Sequence, residues 1–340
     1  MAGIRSIKSA LLCALASTAF ATQAGPITLN ANGGSFGAEL LVGTSDIGVV
    51  FFHGRGQSPD GDVVRQLRTQ LNALGHTTLA LDNPQPVGGT DFANYAAQES
   101  AIDDEVFGRL DAALATLDGL AVQRVVLAGF SLGSRFMTAA TAAWEHGVYS
   151  HASGLNLLAL IGVGMYGTLD GSAPTLAAPL VIGDFNVLDT HTNLSFIGVP
   201  VLDLYGDQDL SAVANAALRR SQYAGLAGDY QQASVQCPPN DGSYFARVGS
   251  SFEPYYGADQ TDFNRCHQLR NGWRPDGQGG YVEHFIVRGA AGAPLEMHVG
   301  TFMAQFSADT GQPVTEPGAL ALIASALLAL RCLRRIDRNQ

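Results

Sequence analysis

Gly129-Phe130-Ser131-Leu132-Gly133 is the stretch of this chain whose residue types and spacing could do covalent chemistry. A serine between two glycines, fed by the β-branched run Arg124-Val125-Val126-Leu127-Ala128 and followed by the helix-like residues 134–144, reads as strand, tight turn, helix. The turn is strained, and a side chain at 129 or 133 would collide with the neighbouring strand or helix. Such a turn would hold the Ser131 hydroxyl at the open edge of a sheet, with the Leu132 N–H aimed at the same spot. A hydroxyl attacks poorly at neutral pH and needs a base within hydrogen-bond reach. The plain alternative is a serine that caps a helix, which the two flanking glycines argue against.

The elements that must position Ser131 alternate. Residues 47–52 and 76–81 read as buried strands. Apolar positions 63, 64, 67, 71 and 74 give a helix between them, stopped at Gly75, and positions 106, 110, 113, 114 and 117 give a second helix over 103–117. Residues 157–163 and 199–205 are further strands. Continuous apolar strands alternating with helices predict a mostly parallel sheet with helices on both faces. Two regions break the rhythm: residues 166–193, a lid or a long crossover, and residues 237–280, rich in Gly, Pro, Asp, Asn and Tyr.

The order strand, His53-Gly54-Arg55-Gly56, helix, strand, helix, strand, Gly129-Phe130-Ser131-Leu132-Gly133, helix resembles the α/β-hydrolase superfamily over about residues 40–306. The resemblance implies the α/β-hydrolase fold and a serine hydrolase without cofactor. It implies Ser131 as nucleophile and an acid on Gly206-Asp207-Gln208-Asp209, with Asp209 preferred to Asp207. Either aspartate could instead cap a helix starting near Ser211. The family order places the base after the acid, which leaves His267, His284 and His298. His298 follows a Gly/Pro loop and precedes the helix-like residues 299–306, the family's position for the base; His267 is the rival. The oxyanion hole would combine the Leu132 N–H with one from the loop after the first strand, Arg55 or Gly54, and His53 would buttress that loop. The Asp209–His298 separation is long for the family. The expected reaction is carboxylic-ester hydrolysis; a lipase or polyester depolymerase, or a non-catalytic surface protein on the same fold, are the alternatives.

The chain has 340 residues, 46% hydrophobic and 14% charged, with net charge −11. Residues 25–312 hold 13 basic against 28 acidic side chains, a body that repels phosphate backbones and argues against nucleic-acid partners. No metal-ligand or phosphate-loop motif is present, so no cofactor is expected. Arg5 and Lys8, the apolar residues 10–20 and the small residues that follow give residues 1–24 the layout of a cleaved signal peptide. At the other end, Val314-Thr315-Glu316-Pro317, an apolar run over 318–330 and Arg331, Arg334 and Arg335 resemble a PEP-CTERM sorting signal, with Thr315 in place of the first proline. That resemblance implies export machinery and an exosortase as partners, transient membrane insertion of residues 313–340, and a final place on the surface or in the matrix of a Gram-negative bacterium. Residues 25–312 would form the hydrolase domain. Cys237 and Cys266, the two cysteines outside the end segments, are expected to form a disulfide across residues 237–280.

Overall fold

A computed structural model describes residues 24–165, 179–185, 187–206, 212–213, 215–235, 245–248, 251–254 and 292–307. The described residues up to Phe302 form one compact unit, and Met303–Ser307 fall outside it.

Eight strands form one sheet: β1 (Ala24–Ala31), β2 (Gly34–Leu41), β3 (Ile47–Phe52), β4 (Thr77–Leu81), β5 (Arg124–Phe130), β6 (Asn156–Val163), β7 (Val201–Gly206) and β8 (Tyr230–Val235). Their spatial order is β1-β2-β4-β3-β5-β6-β7-β8. β1 and β2 pair antiparallel, as do β2 and β4; every later pairing is parallel. β3 and β4 are buried at every residue, and β5 at all but its first, because helices cover both faces. The β1–β2 hairpin turns on Asn32-Gly33, both at positive φ, the conformation a two-residue hairpin loop requires.

The helices are α1 (Asp62–Ala73), α2 (Phe92–Ala97), α3 (Glu99–Asp118), α4 (Leu132–Glu145), α5 (Thr190–Leu194), α6 (Ala216–Gln222) and α7 (Gly292–Ser307). α1 buries Val63, Val64, Leu67 and Leu71, four of the five positions its spacing predicts. The fifth, Leu74, lies past the helix end and is 51% exposed. All five apolar positions predicted for α3 are buried, and the helix starts four residues earlier than the sequence suggests. β9 (Phe245–Val248) and β10 (Ser251–Pro254) form a separate antiparallel pair within residues 237–280.

α3 also buries a carboxyl group. Burial, reinforced by Glu99 and Asp104, pushes Asp103 up to about 8 from its ordinary 3.8. The folded chain therefore holds a proton that the unfolded chain has released, and stability falls as pH rises between these values. Asp103→Asn should exceed the parent in stability by about 1.5 kcal/mol at pH 5 and by up to about 5 kcal/mol at pH 9. Equal pH dependence of the two melting temperatures would show that Asp103 does not govern it.

Strand order also locates the site. From β3 the chain steps to β4 on one side and later to β5 on the other, so the carboxyl ends of β3 and β5 flank the point where strand order reverses. Open parallel sheets form their ligand crevices at such points.

Candidate active site

Ser131 follows the last residue of β5 and precedes the first of α4, with φ 54° and ψ −117°. This left-handed conformation costs a non-glycine residue about 1–3 kcal/mol and persists only where the surroundings hold it. Three bonds do so: Ser131 N–H donates to Val163 O (2.9 Å), Ser134 N–H to Ser131 O (3.0 Å) and Ser134 Oγ–H to Gly129 O (2.9 Å). The glycines are required by close approach. A Cβ on Gly129 would stand 2.5 Å from Gly133 O, and one on Gly133 would run into Phe52 O and lie 2.7 Å from His53 O. Helix α4 thus docks against the carboxyl ends of β3 and β5 with only backbone between them.

The loop after β3 crosses beside the serine. A Cβ on Gly54 would lie 2.9 Å from the Phe130 ring and 3.4 Å from Ser131 Cβ. Gly54 to Gln57 is a tight turn closed by Gln57 N–H to Gly54 O (3.2 Å). His53, 2% exposed, fixes the turn. Its Nε2 accepts from Asn83 N–H (2.9 Å), so its Nδ1 carries the hydrogen and donates to Gly54 O (2.8 Å). Asn83 Nδ2 also donates to His53 O (2.6 Å). With Gly54 O held on the His53 side, the Arg55 N–H of the same planar peptide points the opposite way. Arg55 N–H makes no hydrogen bond among the described residues, and neither does Leu132 N–H, which as the first residue of α4 has no acceptor within the helix. Two unengaged amides, one from the loop after β3 and one from the first turn of α4, are what a developing oxyanion needs. The Ser131 hydroxyl, in a residue 6% exposed, likewise makes no hydrogen bond to a described residue.

His298 lies inside α7, at its seventh residue, rather than on a loop before a helix as the sequence suggests. Gly292 to Pro294, read as loop, are already helical. The ring is half-buried at the margin of the stripe Leu295, Val299 and Phe302, and α7 is tied to α1 by Gln66 Nε2 to Glu296 Oε1 (2.8 Å) and Gln70 Nε2 to Glu296 O (2.7 Å). No hydrogen bond joins His298 to Ser131. Asp207, Asp209, Cys237, Cys266, His267 and His284 lie outside the described residues.

The structure adds residues that the sequence reading did not single out. Phe92, the first residue of α2, has Arg55 Cζ 4.6 Å from its ring centroid and Arg135 Cζ 5.0 Å away. Arg135 stands one turn beyond Ser131 on α4, is 4% exposed and donates to Leu188 O (2.7 Å). The loop bearing Phe92 is fastened at its base by Gln98, whose Oε1 accepts from Val87 N–H and whose Nε2 donates to Val87 O, both at 2.9 Å. Behind β7, fully buried Asp203 and Arg219 pair through two bonds (2.9 and 3.2 Å). Asp203 also accepts from Tyr230 Oη–H (3.1 Å) and Gln232 Nε2 (2.8 Å). Arg219 Nη1 reaches Met165 O (2.8 Å), after β6, and Ala212 O (2.9 Å), after β7, so one guanidinium holds both carbonyls.

An eight-stranded, mostly parallel sheet with helices on both faces and a strained serine turn after its fifth strand is the α/β-hydrolase fold. No protein-family model and no curated protein matches the chain. Among solved structures it is similar to a dienelactone hydrolase from Anabaena variabilis ATCC 29413, at 16% identity over 63% of this chain and 86% of that one, with a TM-score of 0.44. It is also similar to the esterase domain of a Rhodothermus marinus protein (16% identity, 63% and 88% covered, TM-score 0.43) and to the esterase Pf2001 of Pyrococcus furiosus (13% identity, 63% and 84% covered, TM-score 0.45).

Proposed function

We propose that the chain is an exported serine hydrolase that cleaves carboxylic esters through an acyl-enzyme. The observation that carries this reading is Ser131, held at φ 54° with its hydroxyl unbonded among the described residues and with two unengaged backbone amides in the same turn and the adjoining loop. A structural serine gains nothing from that strain, whereas a nucleophile gains exposure and an aligned oxyanion site. Ser131 Oγ attacks the ester carbonyl and its proton passes to a histidine, for which His298 is the choice and His267 the rival. The carbonyl oxygen takes the negative charge beside Leu132 N–H and Arg55 N–H. Collapse expels the alcohol, which receives the proton, and leaves the acyl group on Ser131. Water, deprotonated by the same histidine, attacks the acyl carbon; the acid leaves and Ser131 regains its proton. Asp209, with Asp207 as rival, orients the histidine. Residues 1–24 direct export, and residues 313–340 act as the sorting segment that an exosortase recognises.

A fluorophosphonate probe tests this directly. It should label the purified chain at Ser131, as mapped by mass spectrometry, and leave Ser131→Ala unlabelled; an unlabelled parent overturns the reading. Comparing His298→Ala with His267→Ala then assigns the base, since only the true base removes both labelling and turnover.

A further inference from the structure

We propose that the Arg55 guanidinium recognises a carboxylate on the acyl part of the substrate, making this a hydrolase selective for esters of dicarboxylic acids. The inference rests on the serine-hydrolase reading above and specifies its substrate. Arg55 sits in the turn that passes Ser131 at van der Waals distance, so a group bound by its side chain belongs to the same substrate as the carbonyl beside Ser131. The residue is half-buried, and among the described residues its side chain makes no ion pair and no hydrogen bond; its guanidinium lies over the Phe92 ring. Asp91 caps α2, accepting from Asn94 N–H (2.8 Å) and Asn94 Nδ2 (3.1 Å), and Asp82 makes no ion pair with Arg55.

An arginine with no ion pair among the described residues is conspicuous in a chain with 30 acidic and 19 basic side chains. The Phe92 ring also carries the Arg135 guanidinium, within about 10 Å of that of Arg55. Among the described residues nothing occupies the five donors of the Arg55 guanidinium, which leaves them for an anion. A guanidinium fork matches a planar carboxylate with two parallel bonds. A carboxylate reached from a carbonyl held at Ser131 sits at the far end of a short acyl chain, which is a dicarboxylic half-ester.

The experiment compares two esters with the same leaving group and the same five-carbon acyl chain, p-nitrophenyl hydrogen glutarate and p-nitrophenyl pentanoate. The parent should favour the charged ester in kcat/KM by tenfold or more, chiefly through KM, and the preference should shrink as salt rises. Arg55→Gln should lower the charged-to-neutral ratio by about 10–100-fold, and Arg55→Lys should keep part of it. The ratio is taken within each variant, so a general loss of turnover cancels. A parent that prefers the neutral ester, or an Arg55→Gln ratio equal to the parent's, overturns the carboxylate proposal while ester hydrolysis stands. If the parent cleaves neither ester, or Ser131→Ala cleaves both, the hydrolase reading fails instead. Equilibrium binding of glutarate then decides the site: retention by Ser131→Ala and loss in Arg55→Gln support it, and equal binding by all three chains overturns it.

Discussion

Replacing Ser131 by alanine should lower kcat for p-nitrophenyl butyrate by about 10⁴-fold or more, with residual turnover from the oxyanion donors alone. The size follows from the chemistry, because without the Oγ no acyl-enzyme forms and water must attack unaided. Ser131→Gly should be equally inactive yet more stable than the parent by about 1 kcal/mol, since glycine adopts φ 54° without the steric cost a Cβ brings. The pair separates function from architecture. An inactive and stabilised glycine variant means that the turn stores strain for the hydroxyl's sake. Full activity in Ser131→Ala would remove the serine from the mechanism altogether.

The second large effect is on stability. Asp203→Ala leaves the Arg219 guanidinium buried without its counter-charge, strips the Tyr230 hydroxyl of its acceptor and removes one of the two acceptors of Gln232 Nε2. Breaking such a buried pair costs about 3–5 kcal/mol, a fall in melting temperature on the order of 10 °C. Removing both charges is a different matter, since apolar side chains of similar volume need no counter-ion. Asp203→Leu with Arg219→Met should therefore recover much of the loss in stability. It should not recover activity fully, because Arg219 Nη1 also holds Met165 O and Ala212 O, which follow the carboxyl ends of β6 and β7. A double variant as unstable as Asp203→Ala would show that packing, not the uncompensated charge, sets the cost.

Much of this was legible in the sequence because it is local. The β5–Ser131–α4 turn announces itself by two glycines, a β-branched run and a helical period, and the structure places each where the pattern did. The buttressing role of His53 was legible for the same reason, since it sits in the loop it holds. The hairpin at the start was readable too: Asn32-Gly33 is a strong two-residue turn signal, and Phe36, Ala38 and Leu40 alternate inward. It escaped because β1 begins at Ala24, where the sequence was read as the end of a signal peptide. His298 shows the limit of boundary reading, as a Gly/Pro segment that looks like a loop is the first turn of α7, where proline is tolerated. What no local pattern could reveal are contacts closed by the fold. Arg55, Phe92 and Arg135 meet from three separate elements, as do Asp203, Arg219 and Met165.

The Gln98–Val87 fastening has a practical consequence. A side-chain amide there mimics a main-chain pairing, so the intervening peptide is closed on itself by two bonds independent of the sheet. Residues 88–94 consequently behave as an exchangeable cassette. A library confined to them, with both anchoring positions and the core residue Tyr95 kept, should vary substrate preference with little effect on folding.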